Sequence, residues 1–319
     1  MPHTLHRATL ALHTALGTPL AGDTLFGQLC WALREAAGEA ELGRRLDGYT
    51  SGRPWLVVSD GFPAGYLPRP TLPQHFSAPV ADPAQRKAAR KRHWLPVDRT
   101  GKALAEQLAG AVNDQQAYAG KPPQQSVQAH NTLNRLSGTT GEGAFAPYSV
   151  AQTFHAKEQR IDVYLVLDSE RVSADEAGSL LTALGSGGFG RDASVGLGKF
   201  SLQNIEAAAF TAPAAANAWW TLAPCAPQGQ GFVGSESYWR VLTRFGRHGN
   251  ALALSAHPFK TPVLLAATGA VLVPAGGLAA ARSFIGQGIG GAGLLSKAEA
   301  ATVHQAYAPI VPLALEPAP

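Results

Sequence analysis

The chain has 319 residues, of which 45% are hydrophobic and 15% are charged, and its formal net charge is +4. This length predicts two domains, or one domain with large elaborations, and the apolar fraction is sufficient for a sizeable core. With only 2 cysteines, the composition excludes a disulfide framework and a zinc site built from thiolates alone.

We expect no membrane span, because the most hydrophobic stretch, residues 261–281, is interrupted by Pro262, Pro274 and a glycine pair. The N-terminal residues lack the compact hydrophobic region and small-residue cleavage site of a signal peptide. We therefore expect a cytoplasmic protein.

The first predicted elements are a strand and an amphipathic helix. Alternating polarity predicts the strand over residues 5–16. Asp23 or Thr24 can cap the helix, in which the apolar residues between positions 25 and 33 recur at helical spacing. Residues 74–128 are less regular and include a proline- and glutamine-rich stretch, so we expect an insertion that projects from a more regular body.

Positive charge is concentrated in residues 86–135, which contain nine Lys or Arg and three Asp or Glu. Such a local excess of positive charge favours an anionic partner. A nucleic-acid site explains charge confined to one segment better than a general polyanion-binding surface does. Arg90 and Arg92 precede Trp94, so this run could hold RNA by charge and by base stacking. A run of this kind is also typical of a solvated helix face.

A predicted strand and helix lead into a glycine loop, residues 185–199, which contains six glycines. The loop matches G-x-G-x-x-G by letter, but a dinucleotide site needs a strand before this pattern and a helix after it, so we reject a nucleotide cofactor. Glycine lets a ligand approach the backbone closely, and exposed amides beside cations suit phosphates. The candidate RNA-binding residues here are Gly187, Gly188, Phe189, Gly190, Arg191 and Lys199. The alternative is a mobile hairpin whose glycines serve only turns.

A second polar cluster covers residues 130–143. Asn131 could contact sugars or base edges, and Arg135 could hold a phosphate. The alternative is a capped turn between elements, with Asn131 or Thr132 as the cap of a short helix. No H-E-x-x-H motif, serine elbow or usefully spaced carboxylate pair occurs, so we expect no catalytic residue, no metal and no cofactor. A His/Tyr/Lys nuclease site that assembles only in three dimensions stays open.

An Ala- and Pro-rich stretch at residues 211–218 predicts a domain boundary. Strand and helix patterns on both sides predict an α+β fold, with an N-terminal domain over residues 1–205 and a C-terminal domain over residues 206–319. A second glycine cluster supplies Gly286 and Gly288 as further candidate RNA contacts.

Four segments, in order along the chain, resemble those of one family. They are GDTLFGQLCW at 22–31, SDGFPAGYLPRP at 59–70, HNTLNRLSGTTGEG at 130–143 and GFGRDASVGLGKF at 188–200. The chain is similar to the RAMP-superfamily subunit that caps the 5′ end of the guide RNA in type III-A CRISPR effector complexes, the fourth Csm subunit. The C-terminal third matches more loosely, mainly at SFIGQG, residues 283–288.

The resemblance implies two ferredoxin-like (RRM-like) RAMP domains and a projecting β-hairpin thumb, which by position would lie within residues 74–128. It also implies a non-catalytic subunit of an antiviral ribonucleoprotein that holds the 5′ handle of the guide RNA (crRNA), with target RNA nearby. Its partners would be the large polymerase/HD-type CRISPR subunit and the backbone RAMP subunit, which it would bridge. The alternatives are a metal-independent RAMP endoribonuclease that matures guide RNA, a pure scaffold between subunits, and the equivalent subunit of a type III-B or type IV complex.

Overall fold

The computed structural model describes residues 3–77, 82–278 and 282–316. Its strands are β1 (His3–Leu12), β2 (Leu56–Pro63), β3 (Tyr66–Pro68), β4 (Trp94–Pro96), β5 (Gln124–His130), β6 (Tyr148–Phe154), β7 (Ile161–Asp168), β8 (Phe200–Ala207), β9 (Ala218–Thr221), β10 (Val241–Arg244), β11 (Val263–Ala266), β12 (Val271–Leu272), β13 (Phe284–Gly290) and β14 (Val303–Leu313). Its helices are α1 (Gly22–Ala37), α2 (Glu39–Leu46), α3 (Pro83–Arg90), α4 (Leu104–Ala109), α5 (Asp114–Ala117) and α6 (Ala174–Gly187). Within these described residues, no helix combines the length and the apolar character needed to cross a membrane.

The first sheet contains β2, β7, β1 and β8 in that order, and each neighbouring pair is antiparallel. Along the chain, the four strands of this sheet and the two helices that cover it follow the order β1–α1–β2–β7–α6–β8, with other elements inserted between them. This β-α-β-β-α-β order is that of the ferredoxin-like motif. The α+β character expected from the sequence is therefore present.

The central strand β7 is buried along its whole length. Side chains of α1 and α6 cover one face of the sheet, and side chains of the C-terminal half pack against the other. A near-continuous apolar run is typical of a strand that is covered on both faces. On α1, the buried side chains include Leu25, Phe26, Leu29 and Leu33, so the predicted helical spacing is confirmed. Burial of each such side chain contributes about 1.5–3 kcal/mol.

The second sheet has the order β12, β9, β14 and β13, which differs from that of the first sheet. No α-helix occurs in the described part of the chain after β8. The C-terminal half therefore departs from the helix-flanked unit that the resemblance implied. Its connections are rich in Gly and Pro, which interrupt helices, and they form loops and a two-stranded ribbon of β10 and β11 instead.

Buried polar contacts join the two sheets. The side-chain amide of Gln305 in β14 donates to the carbonyl of Val58 in β2 at 2.8 Å and accepts from the amide of Val58 at 2.8 Å. The hydroxyl of Tyr307 donates to the carbonyl of Tyr49 at 2.6 Å. All four residues are buried. Because these groups satisfy one another away from water, they fix the position of β14 against β2.

The projecting element is the hairpin of β5 and β6, in which β5 is exposed from Gln124 to Ala129. The expected position of the thumb, residues 74–128, is therefore corrected, since it overlaps this hairpin only at residues 124–128. The same interval contains β4 and the helices α3 to α5. Part of the interval contributes to a buried cluster through Leu95, Leu104 and Leu108, so that part belongs to the body of the molecule.

Candidate nucleic-acid interface

The glycine loop, residues 185–199, folds back on itself. The amide of Gly188 donates to Leu184 at the end of α6, and the amide of Phe189 donates to the carbonyl of Gly198, each at 2.9 Å. Gly188 and Gly198 both have positive φ, at 98° and 72°. A Cβ at Gly198 would overlap the backbone of Phe189. These glycines therefore serve the close approach of the two sides of the loop.

The structure corrects two expectations about this loop. The Phe189 side chain is 0% exposed and lies in the core, so it is not free to stack on a base. The expected open backbone amides have protein partners: Gly190 N–H donates to Gln28 Oε1 at 3.2 Å, and Arg191 N–H donates to Thr18 Oγ1 at 2.9 Å. Only side chains and a few remaining backbone groups of the loop are therefore available to a ligand.

The turn between β1 and α1 supports the loop through hydroxyl groups that sequence reasoning missed. Thr18 accepts from Arg191, and Thr14 Oγ1 accepts from the amide of Lys199 at 2.9 Å. The carbonyl of Lys199 in turn accepts from the amide of His13 at 2.8 Å. Single threonines in a turn carry no distinctive sequence pattern, so only the fold identifies their role.

The loop retains two exposed cationic side chains, Arg191 and Lys199. Arg191 Nη2 donates to the carbonyl of Ala151 in β6 at 2.5 Å, and its Nε lies 3.3 Å from Asp192 Oδ2. The Lys199 ammonium has no hydrogen-bond or ion-pair partner among the residues that the structure describes. Lys199 is thus the free cation of the loop, whereas Arg191 also positions the hairpin.

The base of the hairpin is attached directly to this region. Leu16 and Thr153 exchange two backbone hydrogen bonds of 2.9 Å. Together with the contact between Arg191 and Ala151, this pairing connects three segments, residues 13–18, 124–154 and 187–199. We refer to these segments as the loop–hairpin surface.

The tip of the hairpin carries Asn131 and Arg135, both exposed. His130 and Tyr148 stack across the two strands, with ring centroids 5.2 Å apart and an interplanar angle of 11°. Leu136 in the tip loop is 99% exposed. From Ala151 to Tyr148 the strand advances three residues, roughly 10 Å. Both ends of the surface therefore lie within reach of one short nucleic-acid strand.

The loop–hairpin surface offers groups that can bind nucleic acid. Its exposed cations can contact phosphates, and its exposed aromatic and apolar groups can contact bases. Burial lowers the pKa of His155, which lies beside the hairpin base. Across residues 3–77, 82–278 and 282–316, no group of three or more His, Cys, Asp or Glu side chains could hold a metal ion.

The second glycine cluster has a packing role, which corrects the expected RNA contacts at Gly286 and Gly288. Both glycines are buried in β13. The amide of Gly286 donates to Gln230 Oε1 at 3.1 Å. A Cβ at Gly288 would lie 2.5 Å from the carbonyl oxygen of Tyr49. The chain's own atoms therefore occupy the space that a ligand would need.

Arg90 ends α3 and Arg92 follows it, and both are exposed as predicted. Trp94 is half-buried, with its Nε1 donating to Asp114 at 2.7 Å, so it does not offer the open ring expected for base stacking. The carbonyl of Arg92 accepts from Arg69 at 3.4 Å. These contacts place the basic run beside β3 and β4.

Comparison with known proteins gives matches in structure only. No protein-family model matches the sequence, and no curated protein matches it. A chain in the crystal structure of a Csm1–Csm4 cassette with pppApA is 16% identical, has a TM-score of 0.56, and is matched over 99% of this chain and 98% of that chain. A chain of the Csm1–Csm4 cassette with cA4 is 14% identical, with a TM-score of 0.57 over the same shares. The antiparallel sheets and the near-complete coverage confirm, at the level of fold, the resemblance predicted from four short segments: this chain has the fold of a chain found in those Csm1–Csm4 cassettes.

Proposed function

We propose that this chain is a non-catalytic RNA-binding subunit of a type III CRISPR–Cas effector complex, and that the loop–hairpin surface holds the 5′ handle of the guide RNA. The observation that carries this proposal is the continuity of that surface. The glycine loop, with Lys199 and Arg191, is hydrogen-bonded to the base of an exposed hairpin whose tip carries Asn131 and Arg135.

In this proposal, side-chain cations rather than loop amides contact the handle. Lys199 and Arg135 neutralise phosphates, and the stacked pair of His130 and Tyr148 faces an unpaired base. Asn131 adds contacts to a sugar or a base edge. Arg90 and Arg92, on the separate basic run, supply a second phosphate contact farther along the RNA.

The solved structures with this fold are Csm1–Csm4 cassettes. By analogy, we propose that this chain assembles in the cytoplasm with a large polymerase/HD-type subunit and with a backbone RAMP subunit, and that target RNA lies nearby. The chain bridges the two subunits and holds RNA without cutting it. No cofactor takes part.

Co-expression with a guide RNA and the two partner subunits tests this function. In the purified complex, Lys199→Gln with Arg135→Gln should lower retention of the guide RNA at least tenfold at 200 mM salt and reduce the salt dependence of binding. Lys102→Gln, which removes an exposed charge elsewhere, is the matched control. Retention that is equal in the double variant and the control would contradict the proposal.

A separate incubation tests the non-catalytic assignment. The isolated chain is mixed with repeat RNA in the presence of a chelator, and we expect the RNA to remain intact. Cleavage at one defined position would instead favour the metal-independent endoribonuclease, and retained assembly without any RNA contact at the glycine loop would favour a pure scaffold.

A further inference from the structure

The ribbon of β10 and β11 continues beyond its two strands. Lys260 N–H donates to the carbonyl of Gly246, and His248 N–H donates to that of Pro258, each at 2.8 Å. We call residues 239–266 the C-terminal ribbon. Because side chains of paired strands alternate between two faces, this ribbon has one face toward α1 and one face away from it.

The inward face is held on α1 by polar contacts. Arg244 donates from Nε to Asp23 Oδ2 at 2.6 Å and from Nη2 to Oδ1 at 3.1 Å. Farther along the helix, the side-chain amide of Asn250 donates to Glu35. His248 contacts Ser296 Oγ at 2.7 Å. These contacts fix which face of the ribbon points outward.

The outward face is apolar. Val241 is 71% exposed, Phe245 74%, Phe259 68% and Leu264 62%. In the part of the chain that the structure describes, every exposed large hydrophobic side chain lies either on the loop–hairpin surface or on and beside this ribbon. Contiguous exposed apolar side chains on a folded protein are typical of an interaction site.

Charge around the ribbon indicates the kind of partner. From Ser237 to Ala298 the sequence has six Lys or Arg and no Asp or Glu. The guanidinium of Arg247 lies over the ring of Phe259, 5.7 Å from its centroid, and Arg240 is exposed at the start of the ribbon. Aromatic residues and Arg are enriched in protein interfaces, whereas Asp and Glu are depleted.

These observations favour a protein over RNA as the partner. Bases stack on aromatic rings, but of the four most exposed large hydrophobic side chains on the two strands and their extension, two are aliphatic, Val241 and Leu264. The apolar residues fit an apolar protein surface, and the two arginines fit carboxylates at its border.

We propose that the outward face of the C-terminal ribbon docks the large polymerase-type subunit, through a surface of that subunit with an apolar centre and carboxylates opposite Arg240 and Arg247. This inference rests on the proposed function, in which the chain forms a two-protein cassette. Such a cassette needs a direct protein–protein surface, and the ribbon provides one that uses none of the residues proposed to hold RNA.

Binding of the purified chain to the purified large subunit tests the inference. Phe245→Glu and Leu264→Ser should each weaken the dissociation constant at least tenfold, and Arg247→Glu should weaken it further at low salt. Ala183→Glu adds the same charge on the exposed side of α6 and should leave binding unchanged. Because the substituted side chains are largely exposed, melting temperatures should match the wild type.

Guide-RNA retention is measured on the same variants in the co-expressed complex, which separates the two proposals. If Phe245→Glu and Leu264→Ser bind the large subunit as the wild type does, the docking inference is overturned, whether or not RNA is held. The docking inference is also overturned if Phe245 crosslinks preferentially to single-stranded RNA. It is likewise overturned if the wild-type chain forms a dimer that Phe245→Glu dissociates. Loss of RNA from variants at Lys199 with unchanged docking supports both proposals.

Discussion

At the scale of single residues, Gly196 and Gly198 have similar backbones in different surroundings. Both have positive φ, at 100° and 72°. A Cβ at Gly196 would have open space around it, whereas a Cβ at Gly198 would overlap the backbone of Phe189. Gly196 is therefore needed for its turn conformation, whereas Gly198 is needed because the two sides of the loop approach each other closely there.

This difference predicts the effect of two alanine substitutions. Gly196→Ala should destabilise the chain by about 1–2 kcal/mol, the cost of a left-handed residue with a side chain. Gly198→Ala should cost at least 2 kcal/mol more, by rough estimate, because backbone atoms cannot move aside as a flexible side chain does. Urea unfolding of both variants measures the difference. Equal stabilities would contradict the packing assigned to Gly198.

The sequence indicated that these glycines matter but not which role each has. A glycine pattern indicates backbone conformations that other residues rarely adopt. Such conformations allow a ligand to approach the backbone, and they equally allow two backbone segments to pack closely. Phe189, Gly286 and Gly288 were assigned to RNA on that basis, and the structure buries all three. Arg191 and Lys199 are exposed, as charged side chains usually are, and their contact with RNA stays a prediction.

At the scale of elements, the hairpin projects from the body with little burial. Val127 is 68% exposed and pairs directly with Ala151. Because neither face of the hairpin faces the core, its sequence does not alternate regularly between apolar and polar residues. That alternation is the signal by which strands are predicted, and it is missing here. This is why the thumb was expected too early in the chain.

The exposure of the hairpin predicts that folding does not depend on its outer part. Replacing residues 128–150 by an Asn-Gly turn that joins Val127 to Ala151 should change stability by less than about 1 kcal/mol. Guide-RNA retention should fall, because Asn131, Arg135 and the stacked pair at the tip are removed. A melting curve and RNA quantification on one preparation measure both. A large loss of stability would show that the hairpin belongs to the folding core.

The contact between α1 and the C-terminal ribbon predicts a different result. Asp23 is 6% exposed, and Arg244→Met would leave its carboxylate without its two hydrogen bonds from the guanidinium. Such a change typically costs about 3 kcal/mol. Arg240→Met, at an exposed position on the same ribbon, should stay within about 0.5 kcal/mol of wild type in the same urea titration. A loss of stability as large at Arg240 would contradict the assigned contact.

At the scale of the whole molecule, the two halves form one packed unit through buried polar groups. Asp60 in β2 accepts from Gly22 N–H at 2.7 Å and from Thr268 near β11. Burial raises the pKa of Asp60 to about 6. Burial lowers the pKa of His304, in β14 beside Asp23, to about 4.

These two shifts oppose each other as the pH changes. The folded chain binds the Asp60 proton more tightly than the unfolded chain, so this group adds stability as pH falls from 6 toward 4. It binds the His304 proton less tightly, so that group removes stability as pH falls from 6.5 toward 4.

Asp60→Asn should therefore make the free energy of unfolding fall more steeply than in wild type between pH 6.5 and pH 4. His304→Gln should have the opposite effect, and each difference should reach up to about 3 kcal/mol over the window. Urea titrations at several pH values measure both slopes. Parallel curves for wild type and both variants would contradict the assignment of these protonation states.

The overall fold was predictable where the apolar pattern was clear, as in the helical spacing of α1 and the near-continuous apolar run of β7. The C-terminal half was less predictable, because Gly- and Pro-rich connections carry no period and Gln305 reaches β2 across 247 positions of sequence. Contacts of that range, rather than local propensity, decide how the sheets meet.

The most direct test of the central claim is site-specific photo-crosslinking in the assembled complex. A photoreactive amino acid replaces Lys199, Arg135 or, as the control, Lys102, and the crosslinked nucleotides of the guide RNA are then mapped. We expect crosslinks from positions 199 and 135 to nucleotides of the 5′ handle, and none from position 102. Crosslinks from positions 199 and 135 that map only outside the handle, or no crosslinks from either position, would contradict the claim that the loop–hairpin surface holds it.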